Sequence, residues 1–218
     1  VRIYLSAQTY GGTHPIANRH LRAAIMQASN DGIKWAGDMS PDRMKFEAAR
    51  NTTVVEVLRR NDADAILWVD DDVILPIGAI SQLVAQEKDF ITGIYFQRVP
   101  PHFPLIANHR EDRDTFNWVV KWPAKTVFPV DGCGFGCVLT SLKMLKDMEP
   151  PWFTFEKFSE DFDFCLRARK AGYQLWAHAD VLCRHLADPK AVGLEEFASL
   201  RDRPEGLDEF IRPRGSAA

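Results

Sequence analysis

The sequence predicts an α/β domain built on a mixed, mainly parallel central sheet with helices on both faces. Three observations carry that expectation. Short apolar runs alternate with segments of helical periodicity from Arg2 to Val69. Turn-forming Gly, Pro, Asn and Asp separate them. The run Ile66-Leu67-Trp68-Val69 is apolar at every position and leads into Asp70-Asp71-Asp72. A strand covered on both faces has that composition, and ligands of open α/β sheets bind at the carboxyl ends of such strands.

Arg2 to Ser6 reads as the first strand, followed by a polar loop from Ala7 to Thr13. Pro15 to Ala28 carries Ile16, Leu21, Ala24, Ile25 and Ala28 on one helical face. Gly32 to Ala36 is a second strand, Gly37 to Pro41 a turn, and Asp42 to Arg60 a helix. Ala65 to Val69 closes a β-α-β-α-β unit. Pro76 opens a helix expected to reach Glu87, and Phe90 to Phe96 is the next strand. From Gln97 to Lys125 prolines and mixed charges indicate loops with short strands, such as Phe116 to Trp122. Val127 to Val130, the Gly-rich Asp131 to Cys137 and Val138 to Thr140 return to the sheet, and Ser141 to Met148 is a short helix. Pro150-Pro151-Trp152-Phe153 is a rigid aromatic turn. Ser159 is placed to cap a helix that stops at Ala171-Gly172. Strands at Tyr173 to Ala177 and Val181 to Arg184 lead to His185. Residues 1–186 are expected to form one domain, and 187–218 a polar, poorly ordered C-terminal tail.

Bulk properties exclude several functions. The 218 residues suffice for one domain with a sizeable core, and 46% hydrophobic with 26% charged residues is an ordinary globular balance. A net charge of −3 leaves no surplus of Lys and Arg for a nucleic-acid backbone. No apolar run approaches the ~18 residues of a membrane span, and no signal peptide is visible. Cys133, Cys137, Cys165 and Cys183 contain no CxxC pair, which favours separate reduced thiols over a zinc site and suggests a cytoplasmic setting. Neither GxGxxG after the first strand nor GxxxxGK[ST] is present, which counts against dinucleotide and P-loop folds.

Three groups of residues have chemistry to offer. Three adjacent carboxylates repel one another, so Asp70, Asp71 and Asp72 call for a cation. Hard oxygen donors suit Mg²⁺ or Mn²⁺ beside a phosphate-bearing ligand, the alternative being a solvated acidic loop. Glu160, Asp161 and Asp163 begin a helix, where the macrodipole alone favours acids. His185 ends a late strand at the edge that carries the acids, as a third metal ligand or as an ordinary core or surface histidine.

Val69-Asp70-Asp71-Asp72, Gly132 to Leu139 (GCGFGCVL), Pro151-Trp152-Phe153, Ser159 to Tyr173 (SEDFDFCLRARKAGY) and Cys183-Arg184-His185 occur in this order. Together they resemble the GT-A-fold (Rossmann-like) nucleotide-sugar glycosyltransferases, close to glycosyltransferase family 2, over roughly Arg2 to Leu186. The resemblance implies a hexosyltransferase-type enzyme with a UDP- or GDP-sugar donor and a sugar or other hydroxyl acceptor. Asp70, Asp72 and His185 would hold Mn²⁺ or Mg²⁺ on the donor diphosphate, with Asp71 at the ribose or sugar. Asp161 would be the base of an inverting reaction, and Glu160 would orient the base or the acceptor. Ser6, Ala7, Gln8, Thr9, Asp38 and Arg50 match donor-binding positions. Gly134, Trp152 and Phe153 would form the acceptor pocket, with the two rings either stacking on a sugar or packing behind Pro150-Pro151. The family's Pro-x-Tyr/Phe-Asn entry is replaced by Ala7-Gln8-Thr9-Tyr10. A retaining reaction and a non-catalytic nucleotide-sugar-binding module remain alternatives. A pyrophosphorylase is disfavoured, because its Gly-rich, basic loop after the first strand is missing.

Overall fold

A computed structural model describes residues 1–9, 12–187, 190–199 and 210–211. The elements run β1 (Arg2–Gln8), α1 (Pro15–Asn30), β2 (Lys34–Met39), α2 (Phe46–Arg60), β3 (Ala65–Asp70), β4 (Val73–Ile74), α3 (Ala79–Val84) and β5 (Phe90–Ile94). They continue β6 (Ile106–Arg110), β7 (Thr115–Trp118), β8 (Val127–Val130), β9 (Gly132–Cys133), β10 (Cys137–Ser141), α4 (Leu142–Asp147) and α5 (Glu160–Lys170). Last come β11 (Leu175–Leu182), β12 (Arg184–Ala187), β13 (Lys190–Val192), α6 (Leu194–Ser199) and β14 (Phe210–Ile211).

The central sheet has seven strands in the order β2-β1-β3-β10-β5-β11-β8. β10 and β8 run against the other strands, so the sheet is mixed and mainly parallel, as expected. β3 lies inside it and alternates strictly. Ile66 and Trp68 pack into the core beneath α2, α4 and α5, while Ala65, Leu67 and Val69 pack into the core beneath α1 and α3. That two-sided burial is why the run shows no polar position.

Helix ends follow local chemistry. His14 Nδ1 accepts from the Ile16 N–H at 3.2 Å and Pro15 fills the first position of α1. Ser141 Oγ caps α4 by accepting from Met144 N–H at 3.0 Å. Ser159 makes no such side-chain bond to α5. The helix expected from Pro76 is shorter, because Gly78 is left-handed (φ 84°) and α3 begins only at Ala79. β4 was not expected at all. It pairs antiparallel with β12, Val73 opposite His185 and Ile74 opposite Arg184. β13 completes this small sheet, while β14, β7, β6 and β9 form another. The segment after Ala187, expected to be poorly ordered, contributes β13, α6 and β14; its residues 188–189, 200–209 and 212–218 lie outside the described residues.

β5 crosses the sheet centre at Gly93, where a Cβ would lie 2.7 Å from Val181 Cγ1, 3.0 Å from Cys137 Sγ and 3.2 Å from the Val181 carbonyl. Gly93→Ala is therefore expected to overpack the sheet and cost about 1–3 kcal/mol, read as a lower urea midpoint at unchanged slope.

Candidate functional site

Arg50 sits in the second turn of α2 with 2% of its surface exposed. Its Nη1 donates to Glu160 Oε1 at 2.8 Å and to Asp161 Oδ1, and its Nη2 donates to Asp70 Oδ1 at 3.3 Å. The guanidinium carbon stands 5.1 Å from the Phe135 ring centre and 5.6 Å from that of Phe153. One buried cation thus ties the end of β3 to the start of α5. Asp161 is held from a second side, its Oδ2 accepting the Phe135 backbone N–H at 3.2 Å.

The charges do not balance, since three carboxylates face one guanidinium. Burial pushes the Asp161 carboxyl well above the usual carboxylate range; Arg50 opposes this, and the neighbouring Glu160 and Asp70 add to it. Asp70 is raised too, by burial first; Arg50 and His185 oppose this, and the neighbouring Asp72 and Glu160 add to it. Arg50 is buried too, yet Asp161, Asp70 and Glu160 outweigh the desolvation and keep it protonated. A carboxylate of raised basicity is suited to take a proton from a bound hydroxyl.

Asp72 lies on the other side of the strand end. The β4–β12 pairing brings His185 Nε2 to 3.3 Å from Asp72 Oδ1, and Arg98 Nη1 reaches Asp72 Oδ2 at 3.0 Å. Burial disfavours the charge on Asp72, but the hydrogen bond and charge of His185, with Arg98, hold its carboxyl below the usual range. His185 Nδ1 is 2.7 Å from the Phe96 carbonyl. A carbonyl only accepts, so Nδ1 carries the hydrogen and Nε2 is turned to Asp72 with its lone pair available when the ring is neutral. Mn²⁺ and Mg²⁺ use one or two protein ligands of this kind together with substrate phosphates. Asp72 and His185 fit that pattern. Asp70 is turned to Arg50, and among the described residues no group of three His, Cys, Asp or Glu side chains is assembled to hold an ion. Asp71 is half-buried, and its carbonyl accepts the His14 N–H at 3.3 Å.

The Gly-rich segment is shaped by Tyr95, whose hydroxyl accepts the Gly136 N–H at 3.1 Å. A Cβ at Gly134 would come to 2.1 Å from that hydroxyl, so Gly134 is a position of close packing. The Tyr95 ring also meets His185 edge to face at 5.3 Å.

Trp152 and Phe153 adopt the packing alternative and leave the expected acceptor pocket without a stacking face. Both are buried. The Trp152 indole donates to the Leu145 carbonyl at 2.7 Å, and Phe153 stacks on Phe164 at 4.5 Å. Asn51 fixes this turn: its Oδ1 accepts from Trp152 and Phe153 N–H at 3.0 and 3.1 Å, and its Nδ2 donates to the Phe153 carbonyl at 2.7 Å. Asp163 is structural as well, its carboxylate accepting the backbone N–H groups of Glu156, Lys157 and Phe158 at 2.7, 3.1 and 2.9 Å.

At the end of β1, Ser6 and Gln8 are buried and joined, Gln8 Nε2 donating to Ser6 Oγ at 2.8 Å. Gln8 Oε1 is buried without a hydrogen-bond partner among the described residues. Thr9 is tied to the neighbouring loop, its N–H donating to the Pro41 carbonyl at 3.3 Å. A cavity of about 560 Å³ opens between β1, β2 and α1, lined by Ala7, Thr13, Arg22, Trp35 and exposed Asp38 among others. Ala7 and Asp38 thus share one cavity, while Arg50 lies at the carboxylate cluster. Tyr95 and Arg98 belong to no motif, Arg98 lying just past a strand end, and Asn51 is marked only as the last residue of the Ala49-Arg50-Asn51 sequence.

No protein-family model matches the chain, and no curated protein matches it. Solved structures do. A197 from STIV is 17% identical with a TM-score of 0.61, over 90% of this chain and 92% of that one. GalNAc-T7, solved with UDP, GalNAc and Mn²⁺, is 8% identical with a TM-score of 0.59, over 85% of this chain and 44% of that one. A glycosyltransferase involved in glycosylating the major capsid of PBCV-1 is 15% identical with a TM-score of 0.35, over 72% of this chain and 71% of that one. The chain has the GT-A glycosyltransferase fold.

Removing the cation would strand buried carboxylates. Arg50→Met is expected to destabilise the protein by about 3–5 kcal/mol in chemical denaturation, and Arg50→Lys to recover only part of that, because one ammonium cannot reproduce the forked contacts.

Proposed function

We propose that the protein is a metal-dependent glycosyltransferase. It moves a sugar, of hexosyltransferase type, from a UDP- or GDP-sugar to an acceptor hydroxyl with inversion. The observation that carries this reading is the meeting of Asp70, Glu160 and Asp161 on Arg50, with the Asp72–His185 pair at the same strand end. GalNAc-T7, which shares the fold, was crystallised with a nucleotide, a sugar and Mn²⁺, and that supports the choice of substrate and ion.

In this reading the nucleoside occupies the cavity beside Ala7, Trp35 and Asp38. Ser6 and Gln8, on the other side of β1, support the strand from the α2 side through Thr53, and Thr9 ties its end to Pro41. Asp72 and His185, with Asp70 nearby, hold the divalent ion, and Asp71 faces the ribose or sugar. When bound, Mn²⁺ or Mg²⁺ neutralises the charge that develops on the leaving diphosphate. Arg98 adds positive charge at the same point. Asp161 takes the acceptor proton. Its raised basicity favours that step, and the Phe135 N–H with Arg50 fixes its orientation. Glu160 orients Asp161 through the shared guanidinium. Among the described residues no helix is long and apolar enough to cross a membrane, and four free buried cysteines fit a reducing, cytoplasmic setting.

Asp72→Ala is expected to abolish Mn²⁺-dependent binding of UDP and GDP in calorimetry; undiminished binding would remove the metal assignment. Asp161→Asn is expected to keep nucleotide binding while transfer falls by about 10²–10⁴-fold in a coupled nucleotide-release assay, and full turnover would exclude Asp161 as base.

A further inference from the structure

The burial of Trp152 and Phe153 leaves open which surface meets the acceptor. The helix that carries Arg50 offers an exposed ring beside the cluster. Phe46 is the first residue of α2, one turn before Arg50 on the same helix face. Its ring centre is 5.9 Å from the Arg50 guanidinium carbon, which is itself bonded to Asp161. Yet Phe46 is 50% exposed and belongs to none of the apolar clusters among the described residues. Met44 and Phe155 are exposed as well, at 40% and 41%. Phe155 follows the turn that Asn51 clamps to α2. An aromatic ring left half-exposed against the guanidinium that binds Asp161 offers a face to a ligand at that site.

The pattern around it selects the ligand. Phe46 is flanked by charges in Arg43-Met44-Lys45-Phe46-Glu47. A continuous alkyl chain needs an uninterrupted apolar groove. A pyranose ring is different: it offers C–H groups on its face and hydroxyls around its edge. An aromatic plane covers the face while carboxylates accept from the hydroxyls.

We propose that Phe46 is the acceptor platform and that the acceptor is a saccharide, stacked on the Phe46 ring with one hydroxyl turned to Asp161. The proposal rests on Asp161 being the base. Phe46 acts as a binding residue for the acceptor and does not touch the donor cavity.

Saturation-transfer NMR with methyl glycosides of glucose, galactose, mannose, xylose and N-acetylglucosamine tests it. The wild type, Phe46→Ala and Phe46→Trp are each measured alone and with UDP or GDP plus Mn²⁺, after thermal unfolding has established that each is folded. The wild type is expected to bind at least one glycoside. Phe46→Ala should bind it about tenfold more weakly, and Phe46→Trp should restore affinity. Equal binding by wild type and Phe46→Ala overturns the proposal, as does a wild type that binds none of the panel. Binding of n-octanol in place of every glycoside also overturns it, by identifying an alkyl acceptor. Nucleotide binding is scored separately by thermal shift in the same samples. Its absence from the wild type would sink the glycosyltransferase reading, while glycoside binding would still decide the role of Phe46.

Discussion

A single buried guanidinium sets the terms for this site. Arg50 comes from a helix near the start of the chain, and its partners are the carboxylates of Asp70, Glu160 and Asp161. Burying such a cation costs several kcal/mol unless hydrogen bonds and opposite charges surround it. The rest of the structure supplies them. β3 ends where Asp70 meets Arg50, and α5 starts where its first two residues do. Phe135 and Phe153 cover the faces of the guanidinium and exclude water. The aromatic packing, which extends to Trp68, Phe90 and Phe164, is therefore part of the electrostatics: it sets the low dielectric in which Asp161 becomes more basic.

The second closure is smaller. β4 has two residues, and its pairing with β12 brings His185 to Asp72. His185 is held further by the Phe96 carbonyl and by the edge of Tyr95. Tyr95 in turn accepts from Gly136, next to the Phe135 N–H that binds Asp161. The candidate metal side and the candidate base side are thus joined through one tyrosine and a glycine segment that packs too closely to admit a Cβ.

Much of the frame was legible from residues alone. β3 is apolar at each buried position because both faces are covered, and the acids follow directly. The return of His185 to those acids followed from strand-edge logic. Other features were hidden for physical reasons. β4 is too short to have a period. The helix at Pro76 began late because Gly78 adopts a left-handed conformation that a propensity argument does not foresee. An aromatic turn reads the same whether its rings face a ligand or a core; only the Asn51 contacts decided for the core. The family resemblance marks Arg50 as a donor-binding position, but its grip on Glu160 and Asp161 is hidden because those partners are far away in sequence.

Arg50 and Asn51 are adjacent, and they serve different parts of the molecule, the first gripping carboxylates and the second the backbone of the aromatic turn. A helix advances by about 100° per residue, so neighbouring side chains point to different sectors. Both grips hold only while α2 keeps its register against β3 and the turn. Insertions or deletions within α2 would rotate both out of place together. The loops at 111–114 and 119–126 carry no such paired duty. Changes of length among homologues should therefore collect in those loops, while the start of α2 keeps a fixed residue count.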